Sequence, residues 1–181
     1  MDPKNNIDEL DRSTSERDAD HWAHEASYAD LTLACLGVYV NHERTANRTP
    51  NRKSIRETGA LLLEDDPDQL ALAVLRLTTV GYKVQSTDRV QGFYHRLERS
   101  VPDVILLDIE LPDGNGFDVL AALRRDPKYA HVPIIMLTAR TQPEDIMRGL
   151  VLGADGYITK PYGRNTLEYA LRYVMRQVVI E

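Results

Sequence analysis

Pro102-Asp103-Val104-Ile105-Leu106-Leu107-Asp108-Ile109-Glu110-Leu111-Pro112-Asp113-Gly114 is the stretch that decides the fold. Its branched aliphatics end on a carboxylate, and the chain then breaks into a Pro/Gly turn. A short aliphatic run of this kind reads as a strand buried on both faces. Three more runs are built the same way. Leu61-Leu62-Leu63 ends on Glu64-Asp65, Ile134-Ile135-Met136-Leu137 on Thr138, and Tyr157-Ile158-Thr159 on Lys160. Ligands of an open parallel sheet bind beyond the carboxyl ends of its strands. Three carboxylates, a hydroxyl and an ammonium are therefore expected at one edge.

Helical periodicity fills the gaps between these runs. Asp68 to Thr79 has an apolar face of Leu70, Ala73, Val74 and Leu77, ended by Gly81, and Tyr82 to Ser86 reads as a further strand. Val90 to Arg99, Phe117 to Arg125, Pro143 to Leu152 and Arg164 to Val178 read as helices. Strands alternating with helices of this length imply an α/β fold with a parallel sheet and right-handed crossovers.

Composition changes near residue 58. Residues 1–30 hold nine acids against three bases, whereas 41–58 hold five bases against two acids, with Pro50 and many turn formers. The first 58 residues are expected to form an N-terminal extension. It would hold a helix over about 14–42, opened by the capping box Ser13-Thr14-Ser15-Glu16, then a solvated basic linker. Trp22, Ala26, Ala29, Leu33, Leu36 and Val40 give that helix an a/d stripe, which favours self-association. Residues 59–181 would be the second domain. Cys35 is the only cysteine, so no internal disulfide can form. The amino terminus lacks a signal-peptide layout, and Leu31 to Val40 is too short to span a bilayer. A cytoplasmic protein without membrane insertion is expected. The net charge of −6 speaks against a chain-wide nucleic-acid surface. His21 and His24 have no partnering cluster and are not read as metal ligands.

The edge residues suit phosphoryl transfer to an aspartate. A carboxylate is a weak nucleophile and the incoming group is anionic, so positioning and charge cancellation carry the reaction. Glu64, Asp65 and Asp108 could hold a magnesium ion, with the main-chain carbonyl of Glu110 as a further ligand. Lys160 would place positive charge opposite, and Thr138 a hydroxyl. Singly each has a plainer reading: Glu64-Asp65-Asp66 as acids at a helix start, Thr138 as a cap, Lys160 as a solvated side chain. Their joint occurrence favours a site.

Leu61 to Asp66, Pro102 to Asp108, Leu111 to Gly116, Pro133 to Ala139 and Gly153 to Pro161 together closely resemble the receiver domain of bacterial response regulators. The resemblance covers about residues 59–181. It implies a doubly wound, five-stranded flavodoxin-like sheet of strand order 2-1-3-4-5. It also implies Asp108 as phosphoacceptor, Glu64 and Asp65 as Mg2+-binding acids, Thr138 and Lys160 as phosphate sensors, and Tyr157 as switch aromatic. Positions matching Glu110 and Arg140 tune phosphate lifetime in the family, and their opposite charges here suggest a pair across the mouth of the site.

The expected function is a phosphoacceptor switch, not a turnover enzyme. A histidine kinase or histidine phosphotransfer protein would load Asp108. Thr138 would then move inward and Tyr157 turn toward the core, changing a surface for a downstream protein. The chain stops after its last helix, so no C-terminal output domain is expected and nucleic acid is an unlikely partner. Homodimerisation through the N-terminal helix or the final helices is open. The alternative is a transcriptional regulator with an atypical N-terminal DNA-binding or dimerisation element.

Overall fold

The computed structural model describes residue 34, residues 36–49, residue 51 and residues 53–176. Aliphatic runs become strands where burial demands it. β2 (Gly59–Leu63), β4 (Val104–Leu107), β7 (Ile134–Thr138) and β8 (Gly156–Thr159) are almost wholly buried, whereas β3 (Lys83–Thr87) alternates exposed and covered residues. That alternation marks β3 as the outer strand beyond β2. Parallel pairing runs β3-β2-β4-β7-β8, which is the expected 2-1-3-4-5 order.

Helices α2 (Pro67–Val80), α3 (Val90–Arg99), α4 (Gly116–Arg125), α5 (Pro143–Val151) and α6 (Arg164–Met175) connect and cover the sheet. Leu61, Leu63, Ile105, Leu107, Ile134, Met136 and Tyr157 pack in one core with Phe93, Phe117, Leu120 and Ile146 of α3, α4 and α5. Side chains alternate across a strand, so Leu62, Leu106 and Ile135, also buried, serve the opposite face. There α2 touches α6. Asp66 caps α2 by accepting from the Asp68 and Gln69 amides, with Pro67 at the first helical position. The Pro/Gly turn after Asp108 is a small hairpin of β5 (Glu110–Leu111) and β6 (Gly114–Asn115).

The segment before residue 59 departs from expectation. The helix expected over 14–42 does not reach its far end: Leu36 and Gly37 form a turn, and Val38–Val40 is a strand, β1. Val38, Tyr39 and Val40 are β-branched or aromatic and fit a pleated surface, and Gly37 breaks the helix with φ +71°. Residues 14–33 of that helix, with Trp22 to Leu33 of its stripe, lie outside the described residues. β1 pairs antiparallel with β8, making a six-stranded sheet in which β8 is interior.

The stretch read as a solvated linker is also ordered onto the domain. α1 (His42–Ala46) is capped by Asn41, and a single 3-10 turn covers Ile55–Glu57. Arg44 and Arg48 both reach the fully buried Asp155, which α4 supplies with a third arginine, Arg124. Charge composition alone suggested solvation, but buried charges need partners, and Asp155 has recruited these. Among the described residues no helix is long and apolar enough to cross a membrane.

Candidate functional site

Four strand ends deliver the residues expected from the sequence to the carboxyl edge of the sheet. Glu64 follows β2 and is buried, and Asp65 beside it is exposed. Asp108 follows β4, with its backbone N–H bonded to the Leu63 carbonyl and its Oδ1 accepting from the Ile109 amide at 2.6 Å. Gly116 opens α4 against this backbone so closely that a Cβ there would stand 2.0 Å from the Asp108 carbonyl oxygen. Lys160 Nζ donates to Glu64 Oε2 at 2.5 Å and to Asp108 Oδ2 at 2.7 Å. The Lys160–Pro161 peptide is cis.

The electrostatics follow from burial. Loss of water pushes the Glu64 carboxyl up to about 7, Lys160 opposes this, and the Asp108 charge adds to it. Burial pulls the Lys160 ammonium down, but its bonds to Asp108 and Glu64 hold it above its usual range. Glu64, Asp65 and Asp108 offer carboxylate oxygens within 4.8 Å of one another. Glu64 Oε1 is buried and has no hydrogen-bond partner. Three acids facing one ammonium leave excess negative charge, and oxygen donors of this kind suit a hard divalent cation. The acidic pocket therefore fits the metal expected there.

Thr138 ends β7, buried, with its Oγ1 accepting from the Arg140 amide at 3.2 Å and its carbonyl from the Lys160 amide at 2.8 Å. Arg140 bonds Glu110 Oε1 through Nε and Nη2 at 3.2 and 3.1 Å, and reaches Asp145 at 3.4 Å. Tyr157 is fully buried, and its hydroxyl donates to the Arg140 carbonyl at 2.9 Å. Burial first, then the Asp145 charge, raises the pKa of that hydroxyl. An inward turn of Tyr157 on phosphorylation was expected from the sequence; here the ring is already inside, and its strand is no longer an edge.

Two contributors were not anticipated. Asp113 in the hairpin accepts from the Val90 and Gln91 amides, capping α3 from a distance because Arg89, its local N-cap, makes no side-chain bond. Asp155, within the stretch Gly153 to Pro161, is the hub that ties Arg44, Arg48 and Arg124 to the start of β7 through the Ile134 amide. Asp113 carries no local sequence signal, since its partners lie 22 and 23 residues away. Arg44 and Arg48, one helical turn apart, were the available hint for Asp155.

A doubly wound parallel sheet with an acidic, cation-competent pocket and an invading lysine at its carboxyl edge defines a flavodoxin-like signalling domain. The chain belongs to the response regulator receiver family, whose domain model matches residues 60–172. The transcriptional regulatory protein KdpE of Mycobacterium tuberculosis is 37% identical over 120 residues, 66% of this chain and 52% of that protein. The DNA-binding dual master transcriptional regulator RpaA of Synechocystis is 37% identical over 118 residues, 65% of this chain and 48% of its own. The receiver domain of the sensor histidine kinase PA1611 from Pseudomonas aeruginosa, solved with magnesium in its active-site cleft, aligns with a TM-score of 0.61 at 29% identity, over 66% of this chain and 98% of that one.

The chain thus spans about half the length of the curated relatives it matches. This overturns the expectation of a switch without an output domain that has nucleic acid outside its partners. That expectation leaned on the position of Glu181, whereas the relatives are transcriptional regulators and one is described as DNA-binding.

Proposed function

We propose that this chain is the phosphoacceptor part of a two-component transcriptional regulator, working in the cytoplasm. The observation that carries the reading is Lys160 Nζ bridging Glu64 and Asp108 within the acidic cluster. Glu64, Asp65 and Asp108, with the Glu110 main-chain carbonyl as a further ligand, would hold magnesium. When bound, the ion cancels charge between the carboxylates and an incoming phosphoryl group. An Asp108 carboxylate oxygen attacks phosphorus. The new O–P bond forms as the bond to the donor breaks, and the donor keeps that electron pair. The donor is a histidine kinase or a histidine phosphotransfer protein. Lys160 turns its ammonium to the phosphoryl oxygens, and Thr138 donates its hydroxyl to one of them. Tyr157 responds through the Arg140 carbonyl. The chain catalyses only its own loading and release.

Intact-mass measurement with a small-molecule phosphodonor and magnesium tests the acceptor: wild type gains one phosphoryl group and Asp108→Asn none. Equal labelling of both would sink the assignment. For the output, loading should change DNA affinity of the regulator, with the steep salt dependence of phosphate contacts. Affinity unaffected by loading would remove the transcriptional part of the reading.

A further inference from the structure

Residues 36–49 form a strap along one side of the domain. β1 continues the sheet beyond β8, with Thr159 donating its amide to the Gly37 carbonyl at 2.9 Å and Asn41 its amide to the Asp155 carbonyl at 3.0 Å. Between these, Tyr39 sits opposite Tyr157. The Asn41 side-chain amide donates to the Leu150 carbonyl at the end of α5, and Arg176 beyond α6 donates to the Ala46 carbonyl. The strap thereby spans α5, β8 and α6, the elements next to Lys160 and Tyr157.

Its seating has no slack where it meets the site. Gly37 lies at φ +71°, and a Cβ there would stand 2.3 Å from Thr159 Oγ1. Thr159 precedes Lys160 and pairs with Thr138 across the ladder. The strap therefore fits an arrangement in which Lys160 bridges Glu64 and Asp108 and Thr138 Oγ1 accepts from Arg140. A phosphoryl group on Asp108 would compete for both Lys160 Nζ and the Thr138 hydroxyl. Both groups adjoin the end of β8 under Gly37, and the Tyr157 link to Arg140 adjoins its middle under Tyr39.

We propose that residues 36–49 are a cis-docked cover over β8 whose seating and the phosphorylation of Asp108 oppose each other. Loading loosens the strap, and a loosened strap favours loading, because coupling between two sites is reciprocal. The edge uncovered is the ladder face of β8, flanked by α5 and α6. The coupling rests on the acceptor role proposed for Asp108.

Hydrogen exchange on the whole chain, read by mass spectrometry with magnesium and beryllofluoride as the aspartyl-phosphate mimic, tests it. The amides of residues 38–41 should exchange about tenfold faster with the mimic bound, while those of Val104–Leu107 stay protected. Gly37→Val, strained at that backbone angle and blocked by Thr159, should free the same amides without the mimic and raise mimic affinity severalfold. Mimic bound near Asp108 with the strap amides unchanged or slower would overturn the cover and leave the acceptor role intact. A freed strap in Gly37→Val with unaltered mimic affinity would overturn it equally. No mimic binding in wild type would overturn both readings.

Discussion

Glu64 shows how one residue can hold a site in tension. Burial without a full set of partners lets it keep its proton to about pH 7, whereas in the unfolded chain it ionises near 4.5. The folded state then binds the extra proton between those values. Its favourable contribution is complete below about 4.5 and is lost as pH rises through 7. In chelator, denaturant midpoints should therefore fall from pH 5 to pH 8, and magnesium should erase much of that slope by replacing the proton. A flat profile in chelator would show that Glu64 is already ionised. Arg140 governs a different property. It bridges Glu110 and Asp145 beside the pocket, where a water must approach in line behind phosphorus. Arg140→Ala should speed loss of phosphate severalfold with loading unaffected, as followed by phosphate release; unchanged or slower decay would remove this gate.

Among the elements, the junction of β4 with α4 has the least room. Gly116→Ala would drive a methyl group into the Asp108 carbonyl, and overpacking of this kind costs about 1–3 kcal/mol. A fall in thermal midpoint with slower phosphate uptake is expected, and a silent substitution would show that the helix start can slide. This junction was legible in the sequence, as were the parallel strands and their carboxyl-end residues, because short aliphatic runs ending in polar groups admit few other readings. The strap was not. The a/d spacing ran on through Leu36 and Val40, while the partners that make Val38–Val40 a strand come from β8, far along the chain. Local period cannot report a long-range ladder. The same limit hid Asp155, whose role is set by arginines from α1 and α4.

For the domain as a whole, Asp155 fastens residues 44–48 of the strap to the sheet. Burial brings the Arg124 guanidinium down to about 10, with Asp155 opposing that fall and Arg44 and Arg48 adding to it. Asp155→Ala would strand three arginines at once, and losing one member of a buried charge set costs about 3–5 kcal/mol. Chemical denaturation should show that loss together with protease cleavage within residues 41–49; cleavage unchanged would mean that the ladder alone retains the strap. Oligomerisation needs a separate cut. The compact unit begins at Leu36, so removing residues 1–35 deletes the Trp22 to Leu33 stripe and spares the strap. Sedimentation of that truncation should show a lower mass if the stripe drives self-association, and the same mass if it does not.

The ladder between Gly37 and Thr159 joins positions 122 residues apart. A ribosome releases the strap long before it releases the strand that receives it. Residues 36–49, with their β-forming valines, must wait unpaired while the parallel sheet assembles, and closing so long a loop is entropically slow. The strap is thus the last strand to find its place in the nascent chain. In a crowded polysome, a neighbouring chain with a finished β8 could receive it first.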